Sequence, residues 1–165
     1  MFKTKEMTQI ALMVALTVVL SIMFIIPVPA TKGFVTLCEV GIYTSGLLFG
    51  PMGGLMVGAL SGGLIDIISG YPEWALFSIL IHGIQGLILG YLYQKMPNSR
   101  GMAIGLALGS IFMVVGYGFA TAFLYSWPAG IASIPSNIVQ NLFGIAVTIP
   151  LYQALHKIVH RLQYK

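Results

Sequence analysis

The chain has 165 residues, of which 58% are apolar and 7% charged, with a formal net charge of +4. An ordinary soluble domain carries about 25% charged residues and leaves much of its surface in water, so this composition excludes a soluble globular protein and also a disordered one. Cys38 is the single cysteine, which excludes an internal disulfide scaffold.

Six apolar runs follow one another along the chain, and a membrane-spanning helix needs about 20 such residues. Proline and glycine pairs such as Gly50-Pro51 separate the runs, because proline removes a backbone donor and glycine favours turns. A signal peptide is the less favoured interpretation of the first run, which is long for a signal core and precedes five more. The sequence predicts an all-α membrane domain over 1–165, with spans at 8–26, 34–50, 53–69, 74–94, 101–125 and 135–157.

The basic residues predict the orientation of this bundle. Six spans would place both termini on one side of the membrane, together with all of the Lys and Arg residues except Lys32. These are Lys3, Lys5, Lys95, Arg100, Lys157, Arg161 and Lys165. Because short cytoplasmic loops are rich in Lys and Arg, the termini are expected to be cytoplasmic. The excess of basic over acidic residues then reflects the orientation of the chain in the lipid bilayer and does not indicate nucleic-acid binding.

Small residues recur at four-residue spacing on several predicted helices. Gly54, Gly58 and Gly62 are one such set. Without a strong hydrophobic force between helices in lipid, such stripes allow close backbone contact, so packing within the bundle is favoured over docking of a partner. For Ala11 and Ala15, on the first span, packing inside the bundle and contact with another membrane protein stay equally open.

Polar side chains concentrate in the outer half of the predicted bundle. Buried ionisable groups cost at least about 2.5 kcal/mol each in a membrane, so their position is informative. Glu39 would lie about 8 Å and His82 about 12 Å below the outer surface. The candidate ligand-binding residues are Glu39, Asp66, Trp74, His82, Gln85, Tyr117, Asn137, Gln140 and Asn141. This asymmetry predicts an outward-facing cavity for a small polar, aromatic ligand, although each residue also has a purely structural interpretation.

No motif predicts catalysis, a metal site or a cofactor. His82 has no His or Cys three or four residues away, and the chain contains no Ser-x-x-Lys, Gly-x-Ser-x-Gly or G-x-x-x-x-G-K-[ST] motif. The interpretation is therefore a protein that is not an enzyme and that takes energy for uphill work from an ion gradient or another subunit. A self-sufficient small secondary transporter, a small intramembrane enzyme and a structural membrane protein are the alternatives.

The whole chain resembles the S component of an energy-coupling factor (ECF) vitamin transporter. The resemblance rests on the size, the six runs, the stretch Ala11-Leu12-Met13-Val14-Ala15, and the turn from Leu48 to Gly54. It implies capture of a vitamin outside a prokaryotic plasma membrane and delivery inward with a transmembrane coupling subunit and two cytoplasmic ATPases. It further implies that Ala11 and Ala15 dock onto the coupling subunit.

The same resemblance suggests a lid and a substrate class. The loop from Pro27 to Phe34 would close over the cavity, with Pro29, Thr31, Lys32 and Phe34 as gating residues. This loop is most similar to that of members assigned to hydroxymethylpyrimidine or pyridoxine. Pantothenate, with Lys32 near its carboxylate, and riboflavin, which would need a larger aromatic slot, are the alternatives.

Overall fold

A computed structural model describes residues 4–28 and 33–163 of the chain. Within these ranges the chain forms five helices and one short antiparallel hairpin. The helices are α1 (Thr4–Met23), α2 (Cys38–Ile68), α3 (Ala75–Lys95), α4 (Ser99–Leu124) and α5 (Trp127–Gln163), and the strands are β1 (Ile26–Val28) and β2 (Gly33–Val35). Each helix is long and apolar enough to cross a membrane. The sequence predicts six spans, and the number of helices differs only because two of these spans lie in α2.

The difference lies in α2, which contains both of the spans predicted at 34–50 and 53–69. Gly50 interrupts it with a φ of 73° and a ψ of −164°, directly before Pro51. The Cys38 and Ser61 side chains are 3.9 Å apart, whereas 23 residues of straight helix would separate them by about 35 Å. The chain therefore reverses at Gly50, and the two arms of α2 lie antiparallel to each other.

The hairpin between α1 and α2 is absent from the sequence prediction. Ile26 pairs with Val35, Pro27 with Phe34 and Val28 with Gly33. Apolar β-branched residues suit a strand as well as a membrane helix, so hydrophobicity alone cannot distinguish the two over three residues. The first span consequently ends earlier than predicted, at Met23, and α2 begins later, at Cys38.

Helix α5 begins at Trp127, eight residues before the predicted start at 135. The predicted end of the fifth span at 125 agrees with α4, which ends at Leu124. The predicted start of the sixth span is wrong, because Pro128 lies in the first turn of α5, where proline removes no hydrogen bond that the helix would make. Pro135 and Pro150 lie inside α5.

The glycine stripe of α2 packs directly against the backbone of α3, as the spacing predicted. A Cβ atom added at Gly58 would lie well under 3.0 Å from the His82 carbonyl oxygen, and one at Gly62 would lie 2.8 Å from the His82 ring. On α3, a Cβ at Gly90 would lie 2.6 Å from the backbone of Pro51. The second arm of α2 and α3 are therefore in backbone contact, which fixes the position of His82.

Candidate binding cavity

A polar cavity lies at the end of the bundle that carries the hairpin. It holds about 610 Å³ of space free of protein atoms, part of it open to solvent. Its lining residues come from the strand-to-helix connection, from Trp74 directly before α3, and from α2, α3, α4 and α5. They are Thr36, Cys38, Gly62, Ile65, Asp66, Trp74, Ser78, His82, Met113, Tyr117, Thr121, Ser133, Ser136, Asn137 and Gln140. This mixture of aromatic and polar side chains is typical of small-molecule sites.

One wall of the cavity is aromatic. The Trp74 and Tyr117 rings have centroids 6.0 Å apart, and the His82 ring lies 5.3 Å from Tyr117. Hydrogen bonds hold the rings in place: Trp74 Nε1 donates to Tyr125 Oη at 3.3 Å, and the Ser78 and Tyr117 hydroxyls are 2.6 Å apart. Fixed rings of this kind can stack on a flat ligand at little conformational cost.

A buried carboxyl group supports the polar floor of the cavity. Glu39 is only 1% exposed, and its Oε1 atom accepts a hydrogen bond from Gln140 Nε2 at 2.8 Å. The same oxygen lies 3.8 Å from His82 Nδ1. Glu39 Oε2 is buried and has no hydrogen-bond partner within the described residues. Glu39 thus holds two side chains that line the cavity, while lying beneath the lining itself.

A second set of polar side chains lies below His82. Gln85 Oε1 is 2.9 Å from His82 Nδ1, and Gln85 Nε2 donates to the Tyr43 hydroxyl at 2.9 Å and to Asn141 Oδ1 at 3.0 Å. The Tyr43 hydroxyl also contacts Asn141 Oδ1 and lies 2.8 Å from Ser110 Oγ. These buried groups satisfy one another and make the floor a connected network.

Asp66 supplies a second carboxyl group to the cavity. It lines the space and is 5% exposed. Its Oδ2 atom has no hydrogen-bond partner in residues 4–28 and 33–163. Since an unpaired buried acceptor is costly, this oxygen can accept a hydrogen bond from a bound donor.

A larger groove between α4 and α5 is unsuited to a polar ligand. Apart from Ser110 and Asn141, all of its lining residues are apolar. In a bilayer such a surface faces acyl chains, so the polar cavity is the better candidate site.

Comparison with known proteins assigns the chain to a family. A family model described as ECF-type riboflavin transporter, S component, matches residues 1–157. The thiamine precursor transporter HmpT of Lactococcus lactis subsp. cremoris is 35% identical over 144 residues, which cover 87% of this chain and 82% of that protein. The chain belongs to the S components of ECF-type transporters.

Two further proteins are similar to this chain, one in sequence and one in fold. An uncharacterized protein of Pyrococcus woesei is 36% identical over 122 residues, covering 74% of this chain and 82% of that protein. The solved structure of an S component of a bacterial ECF transporter superposes with a TM-score of 0.77, covering 94% of this chain and 97% of that chain at 21% identity. The resemblance inferred from the sequence is confirmed: this S component is a multi-pass membrane protein of vitamin uptake, in a family of transporters and not of enzymes.

The structure brings most of the predicted ligand-binding residues of the S component to one place. Six of them line the cavity, namely Asp66, Trp74, His82, Tyr117, Asn137 and Gln140. Glu39, Gln85 and Asn141 lie beneath it, in the hydrogen-bonded floor. Contact with a ligand remains a prediction for all nine residues.

The predicted gating residues lie largely outside the described residues, whereas the predicted docking residues lie within them. Pro29, Thr31 and Lys32 lie outside the described residues, and Phe34 belongs to β2 with its side chain outside them. Ala11 and Ala15 both lie on the exposed face of α1. Their docking role stays a prediction.

Several residues of the site were missed by the sequence analysis. Ser78 lies four residues before His82, and Tyr43 lies four residues after Glu39. Each therefore shares a helical face with a predicted site residue. Ser133 likewise lies four residues before Asn137, and Ser136 lies four residues before Gln140. Extending each candidate residue by one helical turn would have found all four.

Proposed function

We propose that this S component captures hydroxymethylpyrimidine, or a closely similar hydroxymethylated nitrogen ring such as pyridoxine, outside the membrane and delivers it inward. The observation that carries the proposal is the combination of an aromatic wall, Trp74 and Tyr117, with a floor of imidazole, amide and carboxyl groups. The similarity to a thiamine precursor transporter supports the same class of substrate.

Each part of the cavity suits one feature of such a ring. The faces of Trp74 and Tyr117 can stack on it. His82, Asn137 and Gln140 can bind ring nitrogens and hydroxyl groups, and Asp66 Oδ2 can accept from an amino or hydroxyl group. Pantothenate would leave the aromatic wall without a partner, whereas riboflavin would require a wider space between the rings.

Binding by the purified chain tests the substrate assignment. In lipid nanodiscs, we expect hydroxymethylpyrimidine or pyridoxine to bind more tightly than pantothenate and riboflavin in isothermal titration calorimetry. Native mass spectrometry of gently purified protein should detect a co-purified ligand of that mass. A clear preference for riboflavin or pantothenate would contradict the proposed substrate, and gradient-driven uptake by the chain alone would contradict the proposed mode of transport.

We propose that energy enters through a transmembrane coupling subunit and two cytoplasmic ATPases, with docking at Ala11 and Ala15. Both alanines are exposed and small, which permits close helix contact. We also propose that the loop from Pro27 to Phe34 closes over the cavity. In support, β2 contacts α5, and the next residue, Thr36, lines the cavity and donates its backbone N–H to Gln140.

The docking proposal predicts that Ala15→Leu separates binding from transport. The added side chain should block close contact with the coupling subunit and abolish uptake in cells that contain the complete transporter. Ligand affinity in nanodiscs should stay within about twofold, because Ala15 does not line the cavity. Ala146→Leu, at another exposed alanine on α5, is the control for added bulk on a lipid-facing surface. Normal uptake by the Ala15 variant would refute the docking assignment.

A further inference from the structure

We propose that a chain of hydrogen bonds anchored on the Asn137 carbonyl group holds His82 in the tautomer with hydrogen on Nδ1, so that Nε2 accepts a hydrogen bond from the ligand. Tyr43, Gln85 and Asn141 are then positioning residues that act through His82. The identity of the donor on the ligand rests on the proposed function. The tautomer itself does not, because it follows from the protein alone.

The chain of hydrogen bonds begins at a group whose role is unambiguous. The Asn137 backbone carbonyl can only accept, and the Asn141 side chain contacts it at 2.8 Å. The amide nitrogen of Asn141 must therefore face this carbonyl, which turns Oδ1 towards Gln85 and Tyr43. Asn141 Nδ2 also lies 3.0 Å from Met113 Sδ, a weak acceptor, in agreement with this orientation.

The orientation of Asn141 determines that of Gln85. The group of Gln85 that faces Asn141 Oδ1 must be a donor, which is Nε2, at 3.0 Å. The second hydrogen of Nε2 is directed to the Tyr43 hydroxyl oxygen at 2.9 Å. The Tyr43 hydroxyl in turn donates to Asn141 Oδ1. Gln85 Oε1 is thereby left facing His82.

The orientation of Gln85 determines the tautomer of His82. Gln85 Oε1 can only accept, and it lies 2.9 Å from His82 Nδ1, so this nitrogen carries a hydrogen. Glu39 Oε1, a second acceptor, lies 3.8 Å from the same nitrogen and favours the same state. In the neutral imidazole Nε2 then holds a lone pair.

The lone pair of His82 Nε2 is available to a ligand. His82 lines the cavity, and no residue of the described part of the chain forms a hydrogen bond with Nε2. The ligand must therefore present an O–H or N–H group at this position. For a hydroxymethylated aminopyrimidine, this group is the hydroxyl or the exocyclic amine.

Nitrogen NMR tests the tautomer without any ligand. The chain contains three histidines, so the His82 signals of 15N-histidine-labelled protein in nanodiscs are assigned by their loss in His82→Gln. We expect the ring to carry its hydrogen on Nδ1, with Nε2 unprotonated. In Gln85→Met, which keeps the length of the side chain but removes its acceptor, the Nε2-protonated form should become populated. Tyr93→Phe removes a tyrosine hydroxyl hydrogen bond elsewhere in the bundle and should leave the spectrum unchanged. A ring protonated at Nε2, or at both nitrogens, in the unmodified protein would overturn the proposal.

Binding of modified ligands tests the acceptor role. The probes are hydroxymethylpyrimidine, its O-methyl ether and its N,N-dimethylamino derivative. We expect one of the two blocked compounds to bind about tenfold more weakly than the parent, the equivalent of one lost hydrogen bond. This difference should shrink to about twofold in Gln85→Met, whereas a purely steric penalty would persist. Equal penalties in the unmodified protein and in Gln85→Met would overturn the acceptor role. Failure of the parent compound to bind would refute the proposed substrate. The NMR result would still decide the tautomer.

Discussion

Replacement of Glu39 by alanine is expected to weaken ligand binding by about 30-fold, because each missing partner of a buried polar group costs about 1–3 kcal/mol. In this variant Gln140 loses the acceptor at 2.8 Å and His82 loses the carboxyl group at 3.8 Å. The ligand would then have to order the Gln140 and His82 side chains, which no longer contact the same carboxyl group. Titration calorimetry on the purified protein in nanodiscs measures the effect.

Two matched variants separate the possible causes of this loss. Glu39→Gln keeps the size and one acceptor oxygen for Gln140, so binding should fall by only about threefold if support of the floor is the main role. Glu6→Ala removes an exposed carboxyl group on the first turn of α1 and should leave affinity unchanged. Wild-type affinity in Glu39→Ala would refute the role of Glu39 beneath the cavity.

The second large effect is expected at the contact between α2 and α3. In Gly58→Ala the new methyl group would overlap the His82 carbonyl oxygen, a backbone atom that cannot rotate away. Overpacking in a well-packed interior costs about 1–3 kcal/mol, and this clash belongs at the upper end. We expect a lower melting temperature in detergent and a weaker affinity for the ligand, because the α3 segment that carries His82 must shift.

The control for this substitution is another glycine in a membrane helix. A Cβ atom at Gly118 would have its nearest neighbour, the Gly130 carbonyl oxygen, 3.9 Å away. Gly118→Ala should therefore keep the melting temperature, or raise it slightly through the better helix propensity of alanine. If Gly58→Ala were as stable as Gly118→Ala, the close packing of α2 on α3 would be wrong.

Much of the site could be predicted because ionisable and amide groups are rare in apolar helices. Glu39 and His82 are conspicuous in such a sequence, and the cost of burying them requires partners. Tyr43 and Ser78 are less conspicuous, because tyrosine and serine are common in membrane helices without any functional role. Each lies one helical turn from Glu39 or His82, so the spacing indicates them only once those two residues are taken as site residues.

The sequence predicts parts of the fold wrongly where one residue pattern is compatible with two structures. A proline such as Pro128 can follow the end of a helix or lie in the first turn of one. Here it lies in the first turn of α5, which begins at Trp127. Gly50-Pro51 was rightly taken as a break, because the chain reverses at Gly50 and separates the two arms of α2. The strand from Ile26 to Val28 is apolar in the same way as the helix before it.

The cavity combines groups that cannot change independently with groups that can. Ser133 donates to the Gly130 carbonyl and Ser136 to the Ser133 carbonyl, both within their own helix. Substituting either serine therefore leaves no other side chain without a partner, in contrast to Gln85 or Glu39. Evolution or design could reshape this wall for a vitamin of different outline by single steps, while the hydrogen-bonding floor would have to be exchanged as a unit.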